Sequence, residues 1–164
     1  MRYLACFRPT ESLTSKLPKD RALSSPSSGL HCTIWGFNMD EQDEPSLKFR
    51  LSKIRSVQYK IMTQKMACFD GGSVVLLLNC PTELYALHSD VREVTRPLDK
   101  DTTKFDAMVA EYGSEKYQPH ITLSKTPIEL SDKFNGIKMQ IDSYEILKKK
   151  DGIWQHVITY RFSG

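Results

Sequence analysis

The sequence predicts a mixed α+β fold, in which helices pack against antiparallel strands. Glycine-containing turns at residues 70–72 and 151–152 each separate two strand-like runs, which predicts two β-hairpins. Between them, an apolar stripe with three- and four-residue spacing predicts a helix over residues 81–96. The length of 164 residues suffices for one domain with a substantial hydrophobic core.

The first part of the chain divides into five predicted segments. They are a buried strand at 3–7, a weak helix at 10–17, a Ser/Pro-rich loop at 24–29, a strand at 30–37 and a helix or strand at 47–54. Pro45 favours a helix for the last of these, because proline fits the first helical turn. In the second strand, His31, Thr33 and Trp35 alternate with apolar residues and therefore share one face.

The remainder of the chain contains the two hairpins and the two longer helices. The predicted elements are hairpin arms at 57–69 and 73–79, helices at 81–96 and 105–112, a strand from 117 to 124, and hairpin arms at 137–147 and 153–162. Pro97 ends the first helix, and Gly113 is the expected C-terminal cap of the second. Pro119 favours extended geometry at the residue before it.

The composition is that of an ordinary globular protein, with 40% hydrophobic and 26% charged residues. The longest uninterrupted apolar run, residues 74–78, is far shorter than the roughly 20 residues that a membrane span needs. No segment has the pattern of a signal peptide, and the four cysteines are scattered, as in a reduced protein. We therefore expect a cytoplasmic protein with no membrane partner.

The charge balance restricts the class of ligand. Lys and Arg total 23 and Asp and Glu total 20, and a net charge of +3 is too mild to favour duplex DNA. A small anionic ligand is compatible with this charge. The sequence has no H-E-x-x-H motif, no C-x-x-C motif and no dense cluster of acidic residues, so we expect no metal and no other cofactor.

Two histidines are each followed two positions later by threonine: His31 by Thr33, and His120 by Thr122. The strand period of two places each histidine on the same face as its threonine. One imidazole can accept a proton from the attacking hydroxyl or water while the other protonates the leaving oxygen. Each threonine hydroxyl can donate to a non-bridging phosphate oxygen. This pattern favours phosphodiester chemistry that needs no metal ion.

The two segments resemble the paired H-x-T/S-x motifs of the 2H phosphoesterase superfamily. That superfamily includes 2′-5′ RNA ligase-like cyclic phosphodiesterases, viral 2′,5′-phosphodiesterases and phage enzymes that degrade cyclic-nucleotide immune signals. The resemblance implies a bilobed α+β fold in which two antiparallel sheets, flanked by helices, form a V-shaped groove. It implies that residues 1–164 form one domain with two pseudo-symmetric lobes. It also implies that His31 and His120 are the acid/base pair and that Thr33 and Thr122 bind the phosphate.

Three further residues are candidates for substrate contact. Trp35 shares a strand face with the first motif and can stack on a base. Tyr117 lies three residues before the second motif, and Ser124 follows that motif on the same strand face. Core packing is the alternative for all three. His88, on an apolar helical stripe, and His156, which lacks a partner hydroxyl, are expected to be structural.

The leading hypothesis is a metal-independent phosphodiesterase, a hydrolase that acts at a ribose 2′ oxygen in short or cyclic 2′-linked nucleotides, including immune signalling nucleotides. One alternative is an RNA 2′,3′-cyclic phosphodiesterase, as in 2′-5′ RNA ligase-like RNA processing. A second alternative is a non-catalytic module that binds a nucleotide or RNA. In each case we expect a monomer whose partner is a small nucleotide or a short oligonucleotide.

Overall fold

The structure is a computed structural model that describes residues 1–17, 29–113 and 116–163. The strands are β1 (Arg2–Phe7), β2 (Cys32–Asn38), β3 (Tyr59–Cys68), β4 (Val74–Leu78), β5 (His120–Ser124), β6 (Lys138–Ile141), β7 (Ser143–Lys150) and β8 (Ile153–Arg161). The α-helices are α1 (Glu11–Thr14), α2 (Glu44–Leu51), α3 (Thr82–Thr95) and α4 (Thr102–Tyr112). Most of the predicted loop at 24–29 lies outside the described residues. No helix in the described ranges is long and apolar enough to cross a membrane.

The eight strands form antiparallel pairs in the order β6-β3-β4-β5-β2-β1-β7-β8. We call β2-β1-β7-β8 the first half-sheet and β5-β4-β3-β6 the second half-sheet, because each contains one of the two motifs. The half-sheets meet between β2 and β5, where the pairing consists of Cys32 opposite Ile121. The structure thus has the α+β architecture that the sequence predicts, with two antiparallel half-sheets joined along one short contact into a single eight-stranded sheet.

The apolar faces of the strands and the apolar stripe of α3 form the core. Leu84, Leu87 and Val91 are buried in α3, at the spacing that predicted this helix. The ambiguous segment at 47–54 is helical over most of its length, and Pro45 lies in the first turn of α2. Helix α3 packs against β2. It therefore lies directly behind the strand that contains the first motif.

The predicted hairpin arm at 137–147 is wrong as a single strand. The structure divides it at Asp142 into β6, which pairs with β3, and β7, which pairs with β1. The alternation of buried and exposed residues changes phase at the division, because Met139 and Ile141 are buried at odd positions whereas Tyr144 and Ile146 are buried at even ones. The prediction of a single arm overlooked this shift of the apolar residues from odd to even positions, which marks the point where the chain passes from one half-sheet to the other.

Glycine is required at the three hairpin-turn positions and at Gly113 for different physical reasons. Gly71, Gly72 and Gly152 have φ values of +89°, +88° and +80°, as tight hairpin turns require. Gly113 caps α4 as predicted, but its φ of −86° is accessible to any residue. A Cβ at Gly113 would lie 2.6 Å from the Val109 carbonyl oxygen. Close approach of the backbone, not a left-handed conformation, explains this glycine.

We expect Gly113→Ala to lower the free energy of unfolding by about 1–3 kcal/mol, because the added carbon forces the helix end to shift. Gly36→Ala is the matched control, since its Cβ would meet Tyr3 at an ordinary 3.8 Å. We expect the control to change stability by no more than about 0.5 kcal/mol. Urea unfolding curves of the two variants measure the difference, and equal stability of both would contradict the close-approach explanation.

Candidate active site

The residue pair that joins the half-sheets also determines which side chains meet. Cys32 and Ile121 are directly opposite each other and fully buried. Neighbouring residues on a strand point to opposite faces, so the residues on either side of this pair project away from the core. These flanking residues are the histidine and the threonine of each motif. One cross-strand pair therefore places all four motif side chains on the same face.

The antiparallel register fixes the arrangement of the four side chains. When it is extended by one residue in each direction, His31 comes opposite Thr122 and Thr33 comes opposite His120. Each histidine thus lies beside its own threonine and across from the other one. Diagonal positions in such a ladder are about 7–8 Å apart, a separation at which a phosphate group fits between the two histidines.

Both motif histidines are held in the same way. His31 donates from Nδ1 to the carbonyl oxygen of Gly29 at 2.8 Å, and His120 donates from Nδ1 to the carbonyl of Gln118 at 2.9 Å. A carbonyl oxygen can only accept, so Nδ1 has the hydrogen in each ring. Proton exchange by these imidazoles therefore takes place at Nε2.

The surroundings of His31 favour its neutral form. Burial lowers the pKa of His31, and the positive charges of Arg8 and His120 lower it further. The hydrogen bond to Gly29 and the carboxylate of Glu145 act in the opposite direction without reversing the shift. Arg8 contacts that carboxylate directly, with Nε 2.5 Å from Oε1.

A cavity of about 460 Å³ adjoins the two motifs. It lies between β2 and the segment that leads into β5, and both Thr33 and His120 line it. A larger cavity, of about 580 Å³, lies between residues 51–56 and the end of β8, and no motif residue lines that one. We assign the candidate site to the smaller cavity, because one residue of each motif lines it, whereas His31 and Thr122 lie beside it and are not among its lining residues.

The structure separates the three candidate residues for substrate contact. Trp35 lines the cavity but is only 3% exposed, and its ring packs edge-on against His88 and Phe105, so stacking on a base would require the ring to move. Tyr117 also lines the cavity, and its hydroxyl donates to the Thr33 carbonyl. Ser124 is not brought to the cavity. It lies two residues beyond the motif, is 3% exposed, and donates to the carbonyl of residue 126.

Three residues near the motifs had no clear signal in the sequence. Phe69, 39% exposed in the β3–β4 hairpin, packs edge-on against the His120 ring with centroids 4.9 Å apart. Arg8 reaches the first motif from the end of β1. His88 is buried as the structural interpretation expected, yet it lines the cavity. In the part of the chain that the structure describes, no three His, Cys, Asp or Glu residues are grouped as metal ligands.

Comparison with solved structures decides the fold family. No protein-family model matches the chain, and no curated protein matches it in sequence. The protein TT0787 of Thermus thermophilus has a TM-score of 0.71 at 15% identity, covering 99% of this chain and 98% of that one. LigT of E. coli complexed with 3′-AMP has a TM-score of 0.66 at 14% identity, with coverage of 99% and 98%. A phosphoesterase structure gives 0.64 at 13% identity, with 99% of each chain covered. This chain has the fold of the 2H phosphoesterases.

The 2H phosphoesterase fold extends over almost all of the chain. Coverage of 98–99% of each neighbour means that both half-sheets and the helices have counterparts. The fold implied by the paired motifs is therefore confirmed. Identities of 13–15% establish the fold alone.

We expect both motif histidines to adopt the Nδ1–H tautomer when neutral, because each Nδ1 faces a carbonyl oxygen that can only accept. Long-range ¹H–¹⁵N correlation spectra distinguish the two tautomers. His156 is an internal reference without this constraint, since its Nε2 lies 2.8 Å from a hydroxyl that can donate or accept. A neutral Nε2–H form at His31 or His120 would be incompatible with the arrangement described above.

Proposed function

We propose that this chain is a metal-independent phosphodiesterase that cleaves a phosphodiester at a ribose 2′ oxygen in short or cyclic 2′-linked nucleotides. The observation that supports this most is the Cys32–Ile121 pair, which gathers two histidines and two threonines on one face beside a cavity. Two imidazoles and two hydroxyls are the groups needed to move protons to and from a phosphodiester while stabilising its charge.

The size of the cavity supports a small nucleotide as the substrate. About 460 Å³ lies within the range of sites for small molecules and cofactors. Structures with this fold have been determined with such molecules, since E. coli LigT was crystallised with phosphate, 3′-AMP, NADP⁺ and ATP. A nucleotide of this kind, whether cyclic or the end of a short oligonucleotide, is the substrate class that we propose, and signalling nucleotides belong to it.

In the proposed reaction the two histidines have different roles. His31, which its surroundings keep neutral, accepts a proton at Nε2 from the attacking water. The water oxygen bonds to phosphorus, the bond from phosphorus to the ribose 2′ oxygen breaks, and protonated His120 gives its Nε2 proton to that oxygen. Thr33 and Thr122 donate to the non-bridging oxygens as negative charge develops on them. Proton transfer from solvent water back to His120 and loss of the proton from His31 restore the starting state.

We also propose that the protein acts as a monomer in the cytoplasm. Both motifs come from one chain, so no second subunit is needed to complete the proposed proton-transfer pair. All four cysteines are free, and Cys68 and Cys80 are exposed, which suits a reducing compartment.

Turnover of a substrate panel by histidine variants tests the proposal. The panel contains 2′-5′ and 3′-5′ linked oligonucleotides, cyclic dinucleotides and nucleoside 2′,3′-cyclic phosphates, all assayed with a chelator present. We expect kcat to fall at least about 10²-fold in His31→Ala and in His120→Ala, because each loses a proton-transfer group. Thr33→Ala and Thr122→Ala should lose about 10–10³-fold. His156→Ala, an exposed histidine outside the cavity, is the control and should keep full activity.

The outcomes separate the alternatives. Preferential turnover of nucleoside 2′,3′-cyclic phosphates would support the RNA-processing substrate over the signalling one. Binding without turnover of any substrate would support the non-catalytic module. Near-full activity in either folded histidine variant would contradict the two-histidine mechanism. Loss of activity in chelator, restored by a divalent cation, would contradict metal independence.

A second prediction concerns pH. The rate should be bell-shaped, with limbs that belong to the histidine pair, and the acidic limb reports the protonation of the base. Arg8 lowers the pKa of His31, and its ion pair with the Glu145 carboxylate offsets the negative charge that raises this pKa. Arg8→Gln removes both effects and should therefore raise the pKa of His31. Activity is lost as pH falls through that pKa, so the acidic limb should move to higher pH.

The control for this measurement is Arg96→Gln. It also removes an arginine from an ion pair, with Asp106 at 3.1 Å, but that pair is exposed and lies far along the chain from either motif. Profiles of kcat/KM against pH for both variants measure the shift. An acidic limb that stays in place in Arg8→Gln, or moves to lower pH, would show that His31 is not the base.

A further inference from the structure

The ladder between β2 and β5 stops at the point where the cavity begins. In the continuing register Pro119 would come opposite Ile34, but proline has no N–H to donate. The segment before β5 instead stays with the second half-sheet. The amide of Leu78 donates to the Pro119 carbonyl at 2.9 Å, and Gln118 donates from Nε2 to the Leu78 carbonyl at 2.9 Å. The chain therefore diverges from β2 here and opens the cavity.

Two side chains bond the β2 carbonyls beyond this point. His88 donates from Nδ1 to the carbonyl of Ile34 at 2.7 Å, and the hydroxyl of Tyr117 donates to the carbonyl of Thr33 at 2.9 Å. Ile34 is also the extra residue of a β-bulge, since β1 pairs Ala5 with Trp35 and the next residue with Thr33. The backbone at this position departs from a regular ladder on the β1 side as well, so these side-chain bonds hold an irregular part of the strand.

The two side chains also hold each other. The rings of His88 and Tyr117 are stacked with centroids 3.9 Å apart and planes 10° from parallel. His88 is 1% exposed, and Trp35 packs edge-on against it at 5.6 Å. Burial raises the pKa of Tyr117 well above its ordinary value, so its hydroxyl retains the proton that it donates. The pair therefore connects α3, the β5 entry segment and the first motif.

We propose that the stacked His88–Tyr117 pair positions the first motif, by replacing the β-ladder where it stops and fixing Thr33 relative to His120. Both are positioning residues, since they act through the β2 backbone. The proposal rests on the proposed function insofar as it predicts rates. The carbonyl that accepts the hydrogen bond from the Tyr117 hydroxyl is that of Thr33 itself, so this bond holds the backbone unit that carries the threonine side chain. A displacement of this unit moves the threonine hydroxyl away from the phosphate, and errors of about 1 Å can cost up to about 10²-fold in rate.

Tyr117→Phe is the most specific test, because it removes one hydroxyl and keeps the ring for stacking. We expect kcat to fall about tenfold or more while KM changes by no more than about threefold, since Thr33 matters most when charge develops in the transition state. Tyr160→Phe is the matched control. Tyr160 also donates to a backbone carbonyl, that of Lys48 at 3.1 Å, and its ring is also stacked, here on Tyr144, but it lies outside the cavity of the candidate site. It should retain the kcat of the wild type.

A second measurement does not depend on activity. The charge of His120 contributes to the lowered pKa of His31, so a wider separation of the motifs should raise that pKa towards its ordinary value. NMR titration of the imidazole resonances should show this rise in Tyr117→Phe and no change in Tyr160→Phe. A role in stability alone would lower the unfolding temperature of both variants and leave the titration of His31 unchanged.

His88→Phe provides an independent variant, since it removes the Nδ1 donor and keeps an aromatic ring against Tyr117. If the two residues act as one unit, the double variant with Tyr117→Phe should lose little more activity than the worse single variant. Multiplicative losses would show that the two bonds act separately and would overturn the paired role.

The measurements distinguish failure of this inference from failure of the proposed function. An unshifted His31 titration together with wild-type kcat in Tyr117→Phe would overturn the positioning role even if the wild type is an active phosphodiesterase. A wild type that turns over none of the substrates, but whose His31 pKa rises in Tyr117→Phe alone, would refute the proposed activity and retain the positioning of the motifs.

Discussion

The site depends on one antiparallel contact, the pairing of Cys32 with Ile121 between the two half-sheets. Side chains alternate along a strand, so a slip of one residue would turn one motif into the core and bring a buried residue to the surface. Such a slip is costly because Cys32 and Ile121 are fully buried, whereas the motif residues next to them in each strand are polar. Hydrophobic burial on one face thus enforces the alignment of polar groups on the other.

The same contact must be short for a cavity to exist. A longer ladder between β2 and β5 would close the space between them, and Pro119 prevents it because it has no N–H for the next position. Ending a ladder leaves carbonyl groups that require other donors. At Thr33 and Ile34 those donors are side chains from other elements, Tyr117 and His88. The cavity is thus a consequence of backbone hydrogen bonding as much as of the motif residues.

The sequence was sufficient for features that depend on local pattern. Strand alternation, the turn glycines and the helical stripe predicted the elements, and the two H-x-T pairs identified four residues that the strand register places on one face. The sequence was insufficient where the role of a residue depends on contacts between elements that are distant along the chain. Arg8 and Phe69 reach the motif histidines from β1 and a hairpin, and nothing in their neighbours along the chain predicts this. The division at Asp142 left a local trace, since the buried positions change there from odd to even numbers, but only the pairing partners of β6 and β7 show that the chain changes half-sheet.

The two motifs are alike in their backbone anchors and different in their surroundings. His31 and His120 each donate from Nδ1 to the carbonyl two residues earlier, so the same local geometry arises twice. Their neighbours then differ, because an arginine and a buried setting favour neutral His31, whereas an aromatic edge from Phe69 lies against His120. Two equivalent imidazoles would have no preferred direction of proton transfer. Unequal surroundings on a repeated scaffold are what the proposed mechanism requires, because in it His31 accepts a proton and His120 donates one.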